Sequence, residues 1–275
     1  MHYDPEAITQ TERETWNRFG SKYLNTFAVI TGRGAALLIK AADIRGGDHV
    51  LEIGCGPGNV AAHLAETGAR VVGVDLAPHM IQAARARYPD IDFHEGNAEN
   101  LPFDSGIFHV VAVCYTLHHL TRPEKAFSEI YRVLAPGGRL AFVHPQQQQS
   151  MDIFFEAVAQ HHTPEAVPHG PLFGCTDQAL FESMITQAGF RDCRLEIREL
   201  PLRLSSLAPL LEGCREFIKM DELPEALQRR IEAATLENAK AHQQGGQFVF
   251  TDTVLLGRAV KPPTIAEQAP AADRA

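Results

Sequence analysis

The chain has 275 residues, enough for one large domain or one domain with an inserted cap, and 45% apolar with 21% charged residues is an ordinary globular composition. A formal charge of −9 without any basic cluster of five or more residues argues against a nucleic-acid partner, because phosphate binding needs a concentrated Lys/Arg face. No apolar run approaches a membrane span. Five cysteines without CxxC spacing, behind a polar, acidic N-terminus that lacks a secretory signal, lead us to expect reduced thiols and a cytoplasmic location.

Residues from about Glu6 to Phe19 have helical composition, with Trp16 and Phe19 at i, i+3, and Ala35 to Ala42 predicts another helix ending near Gly46-Gly47. Residues 1–47 therefore form either a helical segment packed on a sheet edge or a lid whose aromatics, Trp16 and Tyr23 among them, cover a ligand. His49 to Ile53 is the first predicted strand. It runs into Gly54-Cys55-Gly56-Pro57-Gly58, and Asn59 to Thr67 then has the look of a helix. Strand, glycine turn, helix is the opening unit of a nucleotide-binding α/β fold, and glycine is needed where a ligand must approach backbone without a Cβ in the way. The spacing is GxGxG, which suits a nucleoside ligand with no pyrophosphate to cradle. Arg70 to Asp75 is the second strand, and Asp75 follows its last apolar residue, seventeen residues after Gly58. An ionised carboxylate there offers two acceptor oxygens to ribose hydroxyls, or alternatively caps the helix Pro78 to Arg87.

Ile91 to His94 is a short third strand. Ile107 to Tyr115 is a continuous apolar strand of the kind covered on both faces, followed by His118-His119. A helix over Pro123 to Leu134 carries Phe127, Ile130, Tyr131 and Leu134 on one stripe. Ala135-Pro136-Gly137-Gly138 breaks it before a strand over Arg139 to His144. This alternation predicts an α/β fold with a Rossmann-like, doubly wound, mostly parallel sheet. Beyond Pro145 the alternation lapses: helices are expected over Met151 to His162 and Asp177 to Ala188, an irregular loop over Thr163 to Thr176, a strand over Phe190 to Leu200, mostly helix over Pro201 to Ala241, and a last strand over Gln247 to Gly257.

Glu52 with Gly54-Cys55-Gly56-Pro57-Gly58, then Asp75, Gly96 to Phe103, Leu117-His118-His119-Leu120, and Tyr131 to Gly138 occur in the order and spacing of a known family. Over residues 48 to 144 the chain resembles the class I S-adenosylmethionine-dependent methyltransferases, in the small-molecule branch that includes the ubiquinone/menaquinone C-methyltransferases. The resemblance implies a seven-stranded sheet with an antiparallel last strand, S-adenosylmethionine as cofactor and S-adenosylhomocysteine as product. The expected division is an N-terminal helical lid (1–47), a cofactor-binding core (48–145), helical cap insertions (146–189 and 201–245), last strands of the core sheet (190–200 and 246–260) and a Pro/Ala-rich tail (261–275) that is disordered for want of apolar anchors. Carried over residue by residue, Gly54, Gly56 and Gly58 shape the turn against the methionine part, and Glu52 orients that turn or the cofactor's ammonium. Asp75 holds the ribose, Leu76 lines the adenine, Asn97 and Ala98 sit at its edge, and Cys114 and Tyr115 follow the strand beside the methionine tail. Where this chain has Asn97 the family commonly has Asp, so a carbonyl oxygen is left to meet the adenine amine.

A sulfonium methyl is already electrophilic, so the protein's task is to align a nucleophile and, for a hydroxyl or acidic carbon, to supply a base. His118, His119 and His144 lie at the expected catalytic edge and are the candidate bases. His161, His162 and His169 fall in the cap, and no HxxxH or HxH spacing among these histidines supports a metal. Phe154, Phe155, Leu172 and Phe173 from the insertion, with Trp16, Phe19 and Tyr23, would wall an apolar chamber suited to a small aromatic or polyketide-like acceptor, with Trp16, Tyr23, Phe154 and Phe173 as the candidate contacts, or else form the cap's own core. The expected activity is O-, N- or C-methylation. The alternatives are a non-methylating reaction on the same fold, such as cyclisation of the cofactor or a pericyclic rearrangement, and a non-catalytic cofactor-binding subunit. Monomer and dimer both remain open.

Overall fold

The computed structural model describes residues 3–162 and 169–264, the Ser21 side chain excepted. Helix α1 (Pro5–Phe19) starts at Asp4, whose carboxylate accepts from the amides of Glu6 and Ala7, and it has proline at its first position, where a missing N–H is tolerated. A 3₁₀ segment, the one-turn α2 (Ala28–Thr31) and α3 (Gly34–Ala42) lead into the sheet. Five strands then alternate with helices: β1 (His49–Ile53), α4 (Asn59–Ala65), β2 (Arg70–Asp75), α5 (Pro78–Arg87), β3 (Asp92–Glu95), β4 (Phe108–Cys114), α6 (Pro123–Val133) and β5 (Leu134–Gln147). After these come α7 (Gln149–His161), α8 (Gln178–Gln187), β6 (Arg191–Leu204), α9 (Ala208–Phe217), α10 (Glu225–Ala239), β7 (Gln243–Gln244) and β8 (Gln247–Val260).

The strands pair in the order β3-β2-β1-β4-β5-β8-β6, with the two-residue β7 added on β8. β1 to β5 are mutually parallel, and β8 runs antiparallel to both β5 and β6, the α/β arrangement expected from the sequence. Leu38, Ala61, Leu64 and Ile81 pack on one face of the sheet, and Phe127, Ile130, Phe181 and Ile185 on the other. Strands β1 and β4 are buried along almost their whole length because helices cover both of their faces. The strand order reverses between β1 and β4, which places a crevice at their C-terminal ends.

Three boundaries differ from the sequence expectation. β6 continues through Pro201 to Leu204, where helix was expected: it is the edge strand, so proline's missing donor is tolerated, and Leu200, Leu202 and Leu204 alternate inward. β5 begins at Leu134, pairing with Phe108, and the Ala135–Gly138 stretch bulges out before Arg139 pairs with Val110. Lys261, assigned to the tail, is tied down: its Nζ donates to the carbonyls of Tyr131 and Leu134, each at 2.7 Å, and its backbone pairs with Gly137 and Gly138. The rest of the tail beyond 264, and residues 163–168 of the loop expected over Thr163 to Thr176, lie outside the described residues.

Helix α1 lies across the C-terminal edge of the sheet and is fastened on two sides. Thr9 and Tyr3 meet Thr121, Glu6 pairs with Arg122, Arg13 pairs with Glu95, and Asn17 Oδ1 accepts from the His79 amide at 3.0 Å. On the opposite side α7 packs against α9 and α10. Asp252 of β8, fully buried, accepts from Ser150 of α7 through its amide (3.1 Å) and hydroxyl (2.9 Å) and pairs with Arg33 at 2.7 Å, joining the N-terminal segment to sheet and cap. Among the described residues no helix is long and apolar enough to cross a membrane.

Candidate active site

Two adjoining cavities open at the C-terminal edge of the parallel strands. The first, a cleft of about 800 Å³ counting the space at its mouth, is bounded by Gly54 and Gly56 of the glycine turn, Asp75 and Leu76 after β2, Asn97 and Ala98 after β3, and Cys114 and Tyr115 after β4. Thr9, Glu12 and Trp16 of α1 roof it. The second, a chamber of about 1150 Å³ on the same count, lies under the cap between Phe27, Met151, Phe155, Phe173 and Phe217, with Gln146, Gln147 and Gln148 on one wall. Trp16, Tyr23, Tyr115 and His119 border both, so the two spaces meet at these four side chains.

The cleft's shape follows from its backbone. Gly54 and Gly56 have φ of 68° and 52°, and a Cβ on Gly54 would collide with the Thr116 side chain. The Gly56 amide donates to Asp75 Oδ2 at 2.8 Å and the Ala77 amide to Oδ1 at 2.9 Å. Each carboxylate oxygen keeps a lone pair for a further donor. The Asp75 side chain therefore fixes the turn rather than capping α5, whose N-cap is Ala77 with no side-chain bond. Burial pushes the Asp75 carboxyl up, and the Ala77 and Gly56 amides counter it. Tyr115, just past β4, has φ of 53°, a strained backbone for a non-glycine residue, which costs of order 1 kcal/mol and carries its ring to the junction of the cavities. Its hydroxyl is buried without a partner, and burial raises its pKa.

Several sequence assignments are corrected here. Gly58 does not line the cleft. It is the N-cap of α4 with φ of 85°, and a Cβ there would lie 2.8 Å from Phe93 Cζ, so its glycine serves packing. Glu52 does not line it either; it is buried on the α4 side of β1, where burial, then Asp75, push its carboxyl well above the usual range against the Ala61 amide. Asn97 Oδ1 accepts from the Glu99 amide at 2.8 Å, which orients the side chain and leaves one lone pair on that oxygen, beside the NH₂ group, for a ligand. Phe154 is core, 1% exposed, whereas Phe155 faces the chamber: on α7 Met151, Asp152 and Phe155 share one stripe, and Ile153, Phe154 and Val158 pack inward. Phe173 faces the chamber and stacks on His169 at 3.8 Å between centroids.

His144 is removed from the candidate bases. It is fully buried, borders neither cavity, places Nε2 3.0 Å from the Cys175 carbonyl and packs on Phe181; as the residue after Val143 in β5 it faces the α8 side of the sheet. Burial pushes it down to about 4. His118 borders the chamber, and burial, then the neighbouring His119, His144 and His169 rings, hold it well below its ordinary value, so it is a neutral ring at physiological pH. His119, on the 3₁₀ turn Leu117–His119, borders both cavities, and its Nδ1 lies 3.0 Å from Glu12 Oε2. Glu12 was not among the expected site residues, although Thr9, Glu12 and Trp16 fall on one helical stripe and an acid on the stripe of an expected wall residue was the available signal. No group of three or more His, Cys, Asp or Glu among the described residues is arranged to hold a metal ion.

This sheet order, with an antiparallel β8 inserted between β5 and β6 and a glycine-turn cleft at the β1/β4 switch, is the fold of the class I S-adenosylmethionine-dependent methyltransferases. Residues 51–142 match the family described as a methyltransferase domain. Over 97 residues the chain is 40% identical to the demethylmenaquinone methyltransferase of Chlorobaculum parvum, covering 35% of this chain and 40% of that protein. Over 118 residues it is 36% identical to the demethylmenaquinone methyltransferase of Paenarthrobacter aurescens, covering 42% and 47%. These matches thus span less than half the length of either relative. The crystal structure of the YcgJ protein from Bacillus subtilis superposes with a TM-score of 0.56 at 22% identity, covering 84% of this chain and 99% of that one.

The cleft's residues fit S-adenosylmethionine. A turn with no Cβ at Gly54 and Gly56 would admit the methionine part, Asp75 keeps acceptor capacity that two hydroxyls would use, and Leu76, Met80 and Ala98 line an apolar slot that would take a base.

Proposed function

We propose that the protein transfers a methyl group from S-adenosylmethionine to an uncharged, planar aromatic acceptor bearing an acidic hydroxyl, of the reduced-quinone type. The observation that carries this reading is the chamber joined to the cofactor cleft at Trp16, Tyr23, Tyr115 and His119. Six aromatic rings border it (Trp16, Tyr23, Phe27, Phe155, Phe173 and Phe217), apart from Tyr115 and the histidines, and none of its lining residues is Lys or Arg. An anionic acceptor would leave its charge unpaired there, which a desolvated site disfavours. The named activity of the two bacterial relatives points to the same acceptor class.

When bound, the cofactor supplies a methyl group already activated by its sulfonium. Gly54, Gly56 and Asp75 hold the methionine and ribose parts at the β1/β4 crevice, while Leu76, Asn97 and Ala98 border the adenine. Trp16 and Tyr115 stand between cleft and chamber and fix the plane of the acceptor. α1 roofs the cleft and excludes water. His119, bordering both spaces, takes the proton of the acceptor hydroxyl, which raises the nucleophilicity of the oxygen and of the ring carbons conjugated to it. His118, held neutral beside it, supplies a hydrogen bond rather than a proton sink.

Calorimetry with S-adenosylhomocysteine, followed by incubation with S-adenosylmethionine and a prenylated 1,4-naphthoquinol under reducing conditions, tests the proposal. Cofactor binding and a product heavier by one methyl group are expected. Absence of binding overturns it. Methylthioadenosine or an isomerised substrate without methyl gain would instead assign a non-methylating reaction to the same fold.

A further inference from the structure

Helix α1 brings more than a roof to the site. Glu12 is 9% exposed, accepts from Trp16 Nε1 at 3.0 Å and lies with the same Oε2 3.0 Å from His119 Nδ1. Burial works against its charge, but the His119 ring, the Trp16 donor and His169 outweigh that and hold the carboxyl below its usual range. The His119 contact is at ion-pair distance without a well-aligned hydrogen bond, and Trp16 meets the His119 ring edge-on at 5.0 Å. Such contacts commonly tighten only when a ligand closes the site.

We propose that Glu12 is the positioning residue of the base: its carboxylate holds His119 in the Nδ1–H tautomer, leaving Nε2 to accept the acceptor's proton. This rests on His119 being the base in the methyl transfer proposed above. The proton balance is simple. The acceptor O–H bond breaks, its electron pair stays on oxygen, the proton joins Nε2, and the imidazolium is paired by Glu12 until it releases that proton to solvent. The groups that face His119 are Glu12 from α1, Asp75 from β2, His118 on its own turn, His144 from β5 and His169 from the cap loop. Among them Glu12 is the carboxylate in contact with the ring; Asp75 acts through space. Among three imidazoles, His118, His144 and His169, the Glu12 carboxylate is the fixed anion that meets the His119 ring, as the acid of a triad meets its histidine. Because Thr9, Glu12 and Trp16 all border the cleft from one stripe of α1, the helix that roofs the cleft also carries the carboxylate that meets His119.

The test uses the full chain with S-adenosylhomocysteine, ¹⁵N-labelled at histidine. The long-range ¹⁵N–¹H pattern of His119, assigned with a His119→Gln variant, should show the Nδ1–H tautomer in the wild type. Glu12→Gln, which keeps an uncharged acceptor, should weaken that preference, and Glu12→Met, similar in length without an acceptor, should return the ring to the mixture of a free imidazole. With the naphthoquinol probe, kcat of Glu12→Met should fall by roughly 10²-fold, the size of a lost general base, and this loss should exceed any loss of S-adenosylhomocysteine affinity, because Glu12 also borders the cofactor cleft. A Nε2–H tautomer in the wild type, or an unchanged pattern in Glu12→Met, overturns the inference while leaving the methyltransferase reading intact. Failure of both wild type and variants to bind S-adenosylhomocysteine overturns that reading instead.

Discussion

Removing the buried imidazole of His144 should change how stability depends on pH more than it changes stability itself. His144 is fully buried, with Nε2 at 3.0 Å from the Cys175 carbonyl and Nδ1 without a partner, and its burial depresses it from 6.5 to about 4. The unfolded chain therefore binds a proton at this residue between pH 6.5 and about 4 that the folded chain does not. The stabilisation is fully present above the unfolded pKa and is lost as the pH falls through that window. Two and a half units at 1.36 kcal/mol each amount to about 3 kcal/mol across it. In His144→Leu this term disappears. At pH 7.5 the variant loses one hydrogen bond of about 1 kcal/mol. The Cys175 carbonyl stays partnered by Gln146 Nε2 at 3.4 Å. Urea titrations from pH 7.5 to 4.5 should thus show the variant about 1 kcal/mol less stable at the upper end and at least as stable as wild type at the lower end, with curves that cross. His118, depressed in the same direction, keeps its own contribution in both proteins. Parallel curves would show that His144 is not the source of this pH dependence and would refute its placement as a neutral buried ring.

Three further outcomes follow from the same geometry. Gly54→Ala combines a φ of 68° with a collision against Thr116, and calorimetry should find S-adenosylhomocysteine binding weakened at least about tenfold in a protein that still folds. Phe154→Ala should lower stability by about 3 to 5 kcal/mol in urea with kinetics otherwise preserved, whereas Phe155→Ala should raise the acceptor KM with a smaller stability loss; equal effects on both would overturn the assignment of the two faces of α7. Arg33→Met leaves the fully buried Asp252 carboxylate without its cation, and a loss of about 3 to 5 kcal/mol is expected, partly recovered in the double variant with Asp252→Asn.

The glycine-turn cleft was legible in the sequence because it is local. A strand, a GxGxG turn and a helix are contiguous, and their backbone geometry dictates glycine at Gly54 and Gly56. Asp75 and Asn97 each follow a strand end, so a right-handed parallel sheet brings them to the same crevice wherever the rest of the chain goes. The continuous apolar stretch of β4 likewise announced a strand covered on both faces. What the sequence left open turned on side-chain direction and on contacts between distant segments. Phe154 and Phe155 are neighbours in a helical pattern, and only the packing of α7 on the cap core decides which one faces the chamber. His144 ends a strand at the expected edge, yet strand alternation turns it to the α8 side against Phe181. Glu12 and His119 are 107 residues apart in the chain, and only the tertiary path of α1 across the sheet edge sets the carboxylate 3.0 Å from the ring. Backbone turns are dictated by neighbours along the chain, whereas the pairing of an acid with a base is decided by where separate elements come to rest.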